Sequence, residues 1–84
     1  MLEQYHALLV LNVLAPFDGM RLRLDVVRAN VNGKRVHALT ESQFADQAFE
    51  MKERGWIYER VNDFGDPEIG ITQAGQNVRR KANQ

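Results

Sequence analysis

The chain has 84 residues, 44% of them hydrophobic and 26% charged, which suits one small folded domain and excludes a second. It contains no cysteine, which excludes disulfides, thiolate metal sites and cysteine nucleophiles and predicts a cytoplasmic protein. Eleven basic residues balance eleven acidic ones, so the chain as a whole is neither a polycation nor a polyanion.

The charges are unevenly distributed, and no segment is apolar enough to enter a membrane. The net charge is +4 over residues 21–39 and +3 over 71–84, against −2 over 1–20 and −5 over 40–70. The longest apolar run, residues 7–11, is far shorter than the ~20 residues of a spanning helix. We therefore predict no membrane partner.

The first predicted element is a helix over residues 2–14. Its apolar residues surround almost the whole circumference, and one small core rarely covers both sides of a helix. One side is therefore a candidate homodimer surface, formed by Ala7, Val10 and Leu14. The alternative, weighed equally, is that the last helix covers this side through Val78 and Ala82.

A short strand over residues 20–22 and a helix over residues 23–31 are predicted next. Asn32 and Gly33 end this helix, and an irregular, basic connection follows up to Leu39. This connection is longer than the tight turn that joins two helices in a typical helix-turn-helix motif.

The third predicted helix, residues 41–54, has sequence signals at both ends. Thr40 and Gln43 have the spacing of a capping box, and Gly55 is the residue type that commonly ends a helix in the left-handed conformation. Its apolar face joins a predicted core made of Leu8, Leu11, Val27, Phe44, Ala48, Met51, Ile57 and Ile71.

The remaining sequence predicts a β-hairpin and a last helix. Aromatic and β-branched residues lie on both sides of the turn-rich residues 62–66, which indicates a hairpin over residues 56–71. Thr72 is then a suitable N-cap for a helix over residues 73–82, whose basic end suits the helix dipole.

This order of elements, with residues 51–57 (MKERGWI) entering the hairpin and residues 71–75 (ITQAG) leaving it, resembles the winged helix-turn-helix domain of bacterial transcriptional regulators. The resemblance covers nearly the whole chain. It implies an α+β fold, a small winged-helix domain of three or four helices with a two- or three-stranded antiparallel β-wing. Residues 41–54 would be the recognition helix and residues 56–71 the wing. A short chain of this kind also suits a phage or mobile-element protein.

The resemblance implies a small DNA-binding transcriptional regulator whose partner is double-stranded DNA. Gln43 and Gln47 are candidate base contacts. The other candidate DNA-binding residues are Ser42 and the cations Lys34, Arg35, Arg79, Arg80 and Lys81, which would contact phosphates. These cations have an equally simple interpretation as solvated surface that balances an acidic helix.

The charge of the two expected contact elements favours a different ligand. The third helix has a net charge of −2, and the wing turn carries Asp63 and Asp66 without a cation, so both elements would repel phosphate. The alternative function is a protein-interaction module or adaptor that does not bind DNA. Its candidate residues are Asp46, Phe49, Glu50, Glu53 and Phe64. In the competing interpretation, Phe49 packs on another helix and Phe64 folds back over the sheet.

Catalytic and metal-binding signals are weak. His6 and His37 lack the paired spacing of a zinc site, and the chain has no nucleophile elbow and no glycine-rich phosphate loop. No residue is evident that would activate Ser42 as a nucleophile. We therefore predict no metal, no cofactor and no enzymatic activity.

Overall fold

The computed structural model describes residues 3–35 and 37–82. The elements in chain order are α1 (Gln4–Leu14), a short 3-10 turn (Ala15–Phe17), β1 (Leu22–Arg23), α2 (Leu24–Asn32), α3 (Glu41–Glu53), β2 (Ile57–Val61), β3 (Pro67–Ile71) and α4 (Gln73–Ala82). These limits lie within two residues of the predicted ones, except that the predicted start of the first helix, Leu2, lies outside the described residues.

The two ends of α3 show the predicted capping. Thr40 Oγ1 accepts a hydrogen bond from the Gln43 backbone N–H at 3.1 Å, and Gln43 Oε1 accepts one from the Thr40 N–H at 3.0 Å. At the other end, Gly55 has a φ of +76°, and the Trp56 N–H donates to the Met51 carbonyl at 3.1 Å. Because these hydrogen bonds join near neighbours in the chain, local sequence sets both limits of the helix.

The three strands form one antiparallel sheet with β3 between β1 and β2. Leu22 of β1 pairs with Ile69 of β3, and Ile71 of β3 pairs with Ile57 of β2. Alternation along each strand puts these side chains on the face that meets the helices. The predicted hairpin is confirmed, and the predicted short strand forms the third strand of the sheet.

The predicted dimer face on α1 is wrong, because this face belongs to the core of the single chain. Ala7, Val10 and Leu14 are at most 3% exposed. α1 packs against α2, α3, α4 and β3, so one small core uses both of its apolar sides. Of the two residues in the alternative interpretation, Val78 of α4 is half-buried against this core, whereas Ala82 is exposed.

The predicted core is confirmed at every position but one. Leu8 is only half-buried and lines a cleft between α1 and α4. The other predicted residues are buried, together with Ala7, Val10, Leu14, Val31 and Ile69.

The side chain of Asn32 closes the connection between α2 and α3. Its Nδ2 donates to the Leu39 carbonyl at 3.0 Å, and its Oδ1 accepts from the Leu39 N–H at 2.9 Å. These two bonds hold the ends of the long connection together, so α3 begins close to the end of α2.

Candidate functional site

The two predicted base-contacting residues of α3 make hydrogen bonds within the chain. Gln43 caps its own helix, and Gln47 Oε1 accepts a hydrogen bond from the Glu3 N–H at 3.0 Å. Ser42 is exposed at the start of the helix. The side-chain carbonyl oxygens of both glutamines therefore already accept a hydrogen bond. A glutamine that contacts adenine uses both the oxygen and the nitrogen of its amide, which requires a free side chain.

The exposed side of α3 is acidic and carries one aromatic ring. Asp46 and Glu53 are exposed, Glu50 is half-buried, and the Phe49 side chain is 55% exposed. Lys52, the nearby cation, forms an ion pair with Glu59 of β2 at 3.1 Å. It also lies 5.8 Å from the centre of the Phe49 ring. This cation is thus neutralised by the wing and adds little attraction for phosphate.

The tip of the wing is a rigid turn that presents a bare aromatic side chain. Asn62 Oδ1 accepts hydrogen bonds from the backbone N–H groups of Phe64 and Asp66 at 2.9 and 3.0 Å. Gly65 completes the turn with a φ of +83°. Phe64 is 90% exposed, so the interpretation in which it folds back over the sheet is wrong. An exposed aromatic side chain on a hydrogen-bonded turn is a candidate contact anchor.

A cleft of about 390 Å³ opens between α2, α3 and the base of the wing, and we call it the wing cleft. Its apolar lining consists of Leu24, Phe44, Ala45 and Pro67. Its ionic lining consists of Asp25, Arg28, Glu41 and Asp66. Arg23 pairs with Asp25, so three carboxylates stand against the two guanidinium groups of Arg23 and Arg28, and the net charge is −1.

Most of the predicted phosphate contacts lie at another place, around the first turn of α1. Lys34 lines a small cleft together with Tyr5 of this turn. Ala82, which directly follows the basic residues 79–81, lines another cleft together with Gln4 of the same turn. Two basic segments therefore lie next to the start of α1. We call this surface the basic end, which comprises Lys34, Arg35, Arg79, Arg80 and Lys81. Lys34, Arg80 and Lys81 are exposed and have no ion pair with a described residue, whereas Arg79 Nε donates to Gln76 at 3.3 Å.

Arg35 is the exception at the basic end, because its side chain is held within the fold. Its guanidinium donates to the Glu3 carboxylate at 3.0 Å and to the His37 carbonyl at 3.2 Å. Only 13% of the side chain is exposed. The predicted phosphate contact at Arg35 is therefore replaced by an ion pair that fastens the α2–α3 connection to α1.

His6 lies close to this ion pair and is fully buried. Its ring meets the Phe44 ring edge-on, with 5.3 Å between the centroids. Neither ring nitrogen has a hydrogen bond with a described residue. Burial, helped by the Arg35 guanidinium, lowers the pKa of His6 to about 4, although the Glu3 carboxylate acts in the opposite direction. The ring is therefore neutral at pH 7.

Two solved structures share this arrangement of helices and strands. A MarR-family transcriptional regulator from Silicibacter pomeroyi superposes with a TM-score of 0.74 at 16% sequence identity, covering 90% of this chain and 47% of that one. A protein described as a transcriptional regulator, TA0346 from Thermoplasma acidophilum, superposes with a TM-score of 0.68 at 22% identity, covering 92% and 78%. The chain has the winged-helix fold.

Comparison by sequence gives no match, in contrast to comparison by structure. No protein-family model matches the chain, and no curated protein matches it. The chain spans about half of the length of the Silicibacter pomeroyi regulator, 47%. Both solved structures are described as regulators and not as enzymes.

Sequence reasoning missed a row of charges on the outer face of the winged-helix sheet. The strand register aligns Arg23, Glu68 and Arg60 across the three strands. Glu68 accepts hydrogen bonds from Asn62 and Arg21, both at 3.2 Å, and these lower the pKa of its carboxyl. The alternation of inward and outward side chains along β2 and β3 could have indicated which residues face outward. It could not have indicated the pairing between strands that brings these three charges into one row.

The described residues hold neither a cluster of potential metal ligands nor a helix that could cross a membrane. Within residues 3–35 and 37–82, no group of three or more His, Asp or Glu side chains is arranged to hold a metal ion. None of the helices described there is long and apolar enough to cross a membrane.

Proposed function

We propose that this chain is a winged-helix transcriptional regulator that binds double-stranded DNA through its basic end. The observation that carries this proposal is the fold, which matches a transcriptional regulator over 90% of the chain with a TM-score of 0.74. A shared fold hosts several functions, so the ligand is argued from the surface of this chain.

Electrostatics favour the basic end over α3 as the DNA-contacting surface. Affinity for duplex DNA comes largely from Lys and Arg side chains that displace counterions from phosphates. Lys34, Arg80 and Lys81 are exposed there without an ion pair to a described residue. The positive end of the α1 dipole points to the same surface and adds attraction for an anion.

The test is the salt dependence of binding to a fluorescent random-sequence duplex. The triple variant Lys34→Ala, Arg80→Ala, Lys81→Ala is expected to reduce the slope of log K against log salt by roughly 2–3 units, because each phosphate contact contributes about 0.9. Arg21→Ala is the matched control, since it also removes an exposed arginine but one that is paired with Glu68. The control is expected to keep the slope within about half a unit.

Two results would contradict this proposal. The first is that the unchanged chain does not bind duplex DNA even at low salt. The second is that the triple variant binds with the same salt slope as the Arg21→Ala control. Either result removes the basic end as a DNA-contacting surface.

We propose a second function, protein interaction, because one observation favours it specifically. The face of α3 and the wing that a winged helix presents outward are acidic, and Phe49 and Phe64 stand exposed on them at 55% and 90%. An exposed aromatic residue surrounded by carboxylates suits a partner with basic and apolar groups. The two functions use different surfaces and are compatible in one regulator.

A further inference from the structure

We infer that the wing cleft is a docking site for a partner protein segment that carries a lysine or arginine next to an apolar residue. This inference rests on the protein-interaction function proposed above and names the partner's chemistry. Nothing in it depends on the basic end.

The apolar part of the wing cleft is a preformed surface. Phe44 lines it, is 1% exposed and packs edge-on against the buried His6 ring, with 5.3 Å between the centroids. Ala45 and Pro67 line the cleft from α3 and from the base of the wing. An apolar lining suits the aliphatic stem of a long side chain, and a residue packed in the core loses little further conformational freedom on binding.

The carboxylates of the wing cleft select a cation. Asp25 is already bound by Arg23, which donates to both of its oxygens at 2.7 and 3.1 Å. Glu41 of α3 and Asp66 of the wing turn line the cleft and have no ion pair with a described residue, although Arg23 also attracts Asp66. With Arg23 and Arg28 set against Asp25, Glu41 and Asp66, the net charge is −1, which favours an ammonium or guanidinium group over an anion.

The wing tip explains why the occupant is a protein segment and not a small cation. Phe64 lies two residues before Asp66, outside the cleft, and the Asn62 hydrogen bonds hold it in place. A segment that leaves the cleft past Asp66 can cover this ring, whereas a small cation inside the cleft would leave it bare. DNA is disfavoured here because the negative lining repels phosphate.

The probe for this site is a 12-residue acetylated and amidated peptide of alternating lysine and leucine, titrated into ¹⁵N-labelled protein. We expect shifts of the backbone amide signals of Ala45, Asp66 and Phe64. The double variant Glu41→Gln, Asp66→Asn is expected to weaken binding by about 5-fold, the size typical of two partly exposed charge pairs. Phe64→Ala is expected to weaken binding by about 5-fold as well, as for loss of an aromatic contact.

The matched control is Asp18→Lys, which makes the same change in net charge at an exposed position outside the wing cleft. It is expected to bind the peptide within about 2-fold of the unchanged chain, since distant exposed charges are screened. Circular dichroism of the double variant and of this control checks that α3 remains folded. A peptide of alternating glutamate and leucine is expected not to bind.

Four outcomes would overturn the assignment. They are no binding of the lysine–leucine peptide, equal loss of affinity in the Glu41→Gln, Asp66→Asn variant and the Asp18→Lys control, equal binding of the glutamate–leucine peptide, and n-butylamine shifting the cleft signals as strongly as the peptide without moving Phe64. Shifts confined to Asp46 and Phe49 would overturn the cleft while leaving the protein-interaction function in place. DNA binding is measured separately with the basic-end variants, so its failure is distinguishable.

Discussion

The basic end and the wing cleft hold their ionic groups in different ways. At the basic end, Arg35 returns into the fold, pairs with Glu3 and lies near the buried His6. At the wing cleft, Glu41 and Asp66 face an open cavity with no ion pair to a described residue. An ionic side chain such as Arg35 therefore stabilises the fold where a partner within the chain lies in reach. Side chains such as Glu41 and Asp66 remain available for a binding partner where none does. Changes at the first kind of position alter stability, and changes at the second alter binding.

The largest expected effect is the difference in unfolding free energy between a variant of the core phenylalanine and a variant of the wing phenylalanine. Phe44→Ala removes a side chain that is 1% exposed and is expected to lower the free energy of unfolding by about 3–5 kcal/mol. Phe64→Ala removes one that is 90% exposed and is expected to change it by less than about 0.5 kcal/mol. Urea denaturation of the two variants measures both values. Similar losses for the two would show that the wing tip is packed.

The next effect is a loss of stability in acid caused by His6. Its pKa is about 4 in the folded chain and 6.5 as an ordinary histidine, so between these values the unfolded chain binds a proton that the folded chain does not. Stability is therefore independent of this residue above pH 6.5 and falls by about 3 kcal/mol as the pH drops to about 4. Denaturation at a series of pH values measures this slope.

Two variants sharpen the assignment of this slope to His6. His6→Leu replaces buried, unpaired nitrogens with an apolar group, so it is expected to remove the His6 part of the slope without loss of stability at pH 7. His37→Gln changes an exposed histidine and is expected to keep the slope. The explanation fails if the His6→Leu chain loses stability between pH 6.5 and 4 as steeply as the unchanged chain.

The smallest effect concerns the turn that presents Phe64. Asn62→Ala removes the acceptor for two backbone N–H groups and the donor to Glu68, and it is expected to cost about 1 kcal/mol. Hydrogen exchange at the Phe64 and Asp66 amides is expected to accelerate in this variant. Asp63→Ala, at an exposed position on the same turn, is the control and is expected to change neither quantity. Unchanged exchange in Asn62→Ala would show that the turn does not depend on this side chain.

The limits of the elements could be predicted from residues that are close in the chain. Thr40 with Gln43 starts α3, and Gly55 ends it, because capping hydrogen bonds and positive φ depend on a few consecutive residues. The predicted core followed from helical spacing for the same reason. The exposure of Phe64 could only be left open, since a turn residue has no periodicity that tells which way it faces.

The sites were harder to predict because they depend on residues from distant parts of the chain. The candidate phosphate contact Arg35 pairs with Glu3, 32 positions away, and Gln47 holds the backbone of the same residue. No local signal indicates such a partner. The wing cleft is likewise built from three elements, and the sequence indicates Phe44 as a core residue and Asp66 as a wing residue but not that both line one cavity.

The order of helices and strands, and with it the resemblance to a winged helix, follows from sequence alone because backbone hydrogen bonding and hydrophobic periodicity are local. The covering of α1 on both apolar sides does not follow, since it requires α4 to return across the molecule and place Val78 against the core. The packing of α1 against α3 buries His6 beside Phe44, which also lines the wing cleft. Which charges remain free for a partner is therefore a property of tertiary contacts, because an ionic group is neutralised by whatever the fold brings within reach of it.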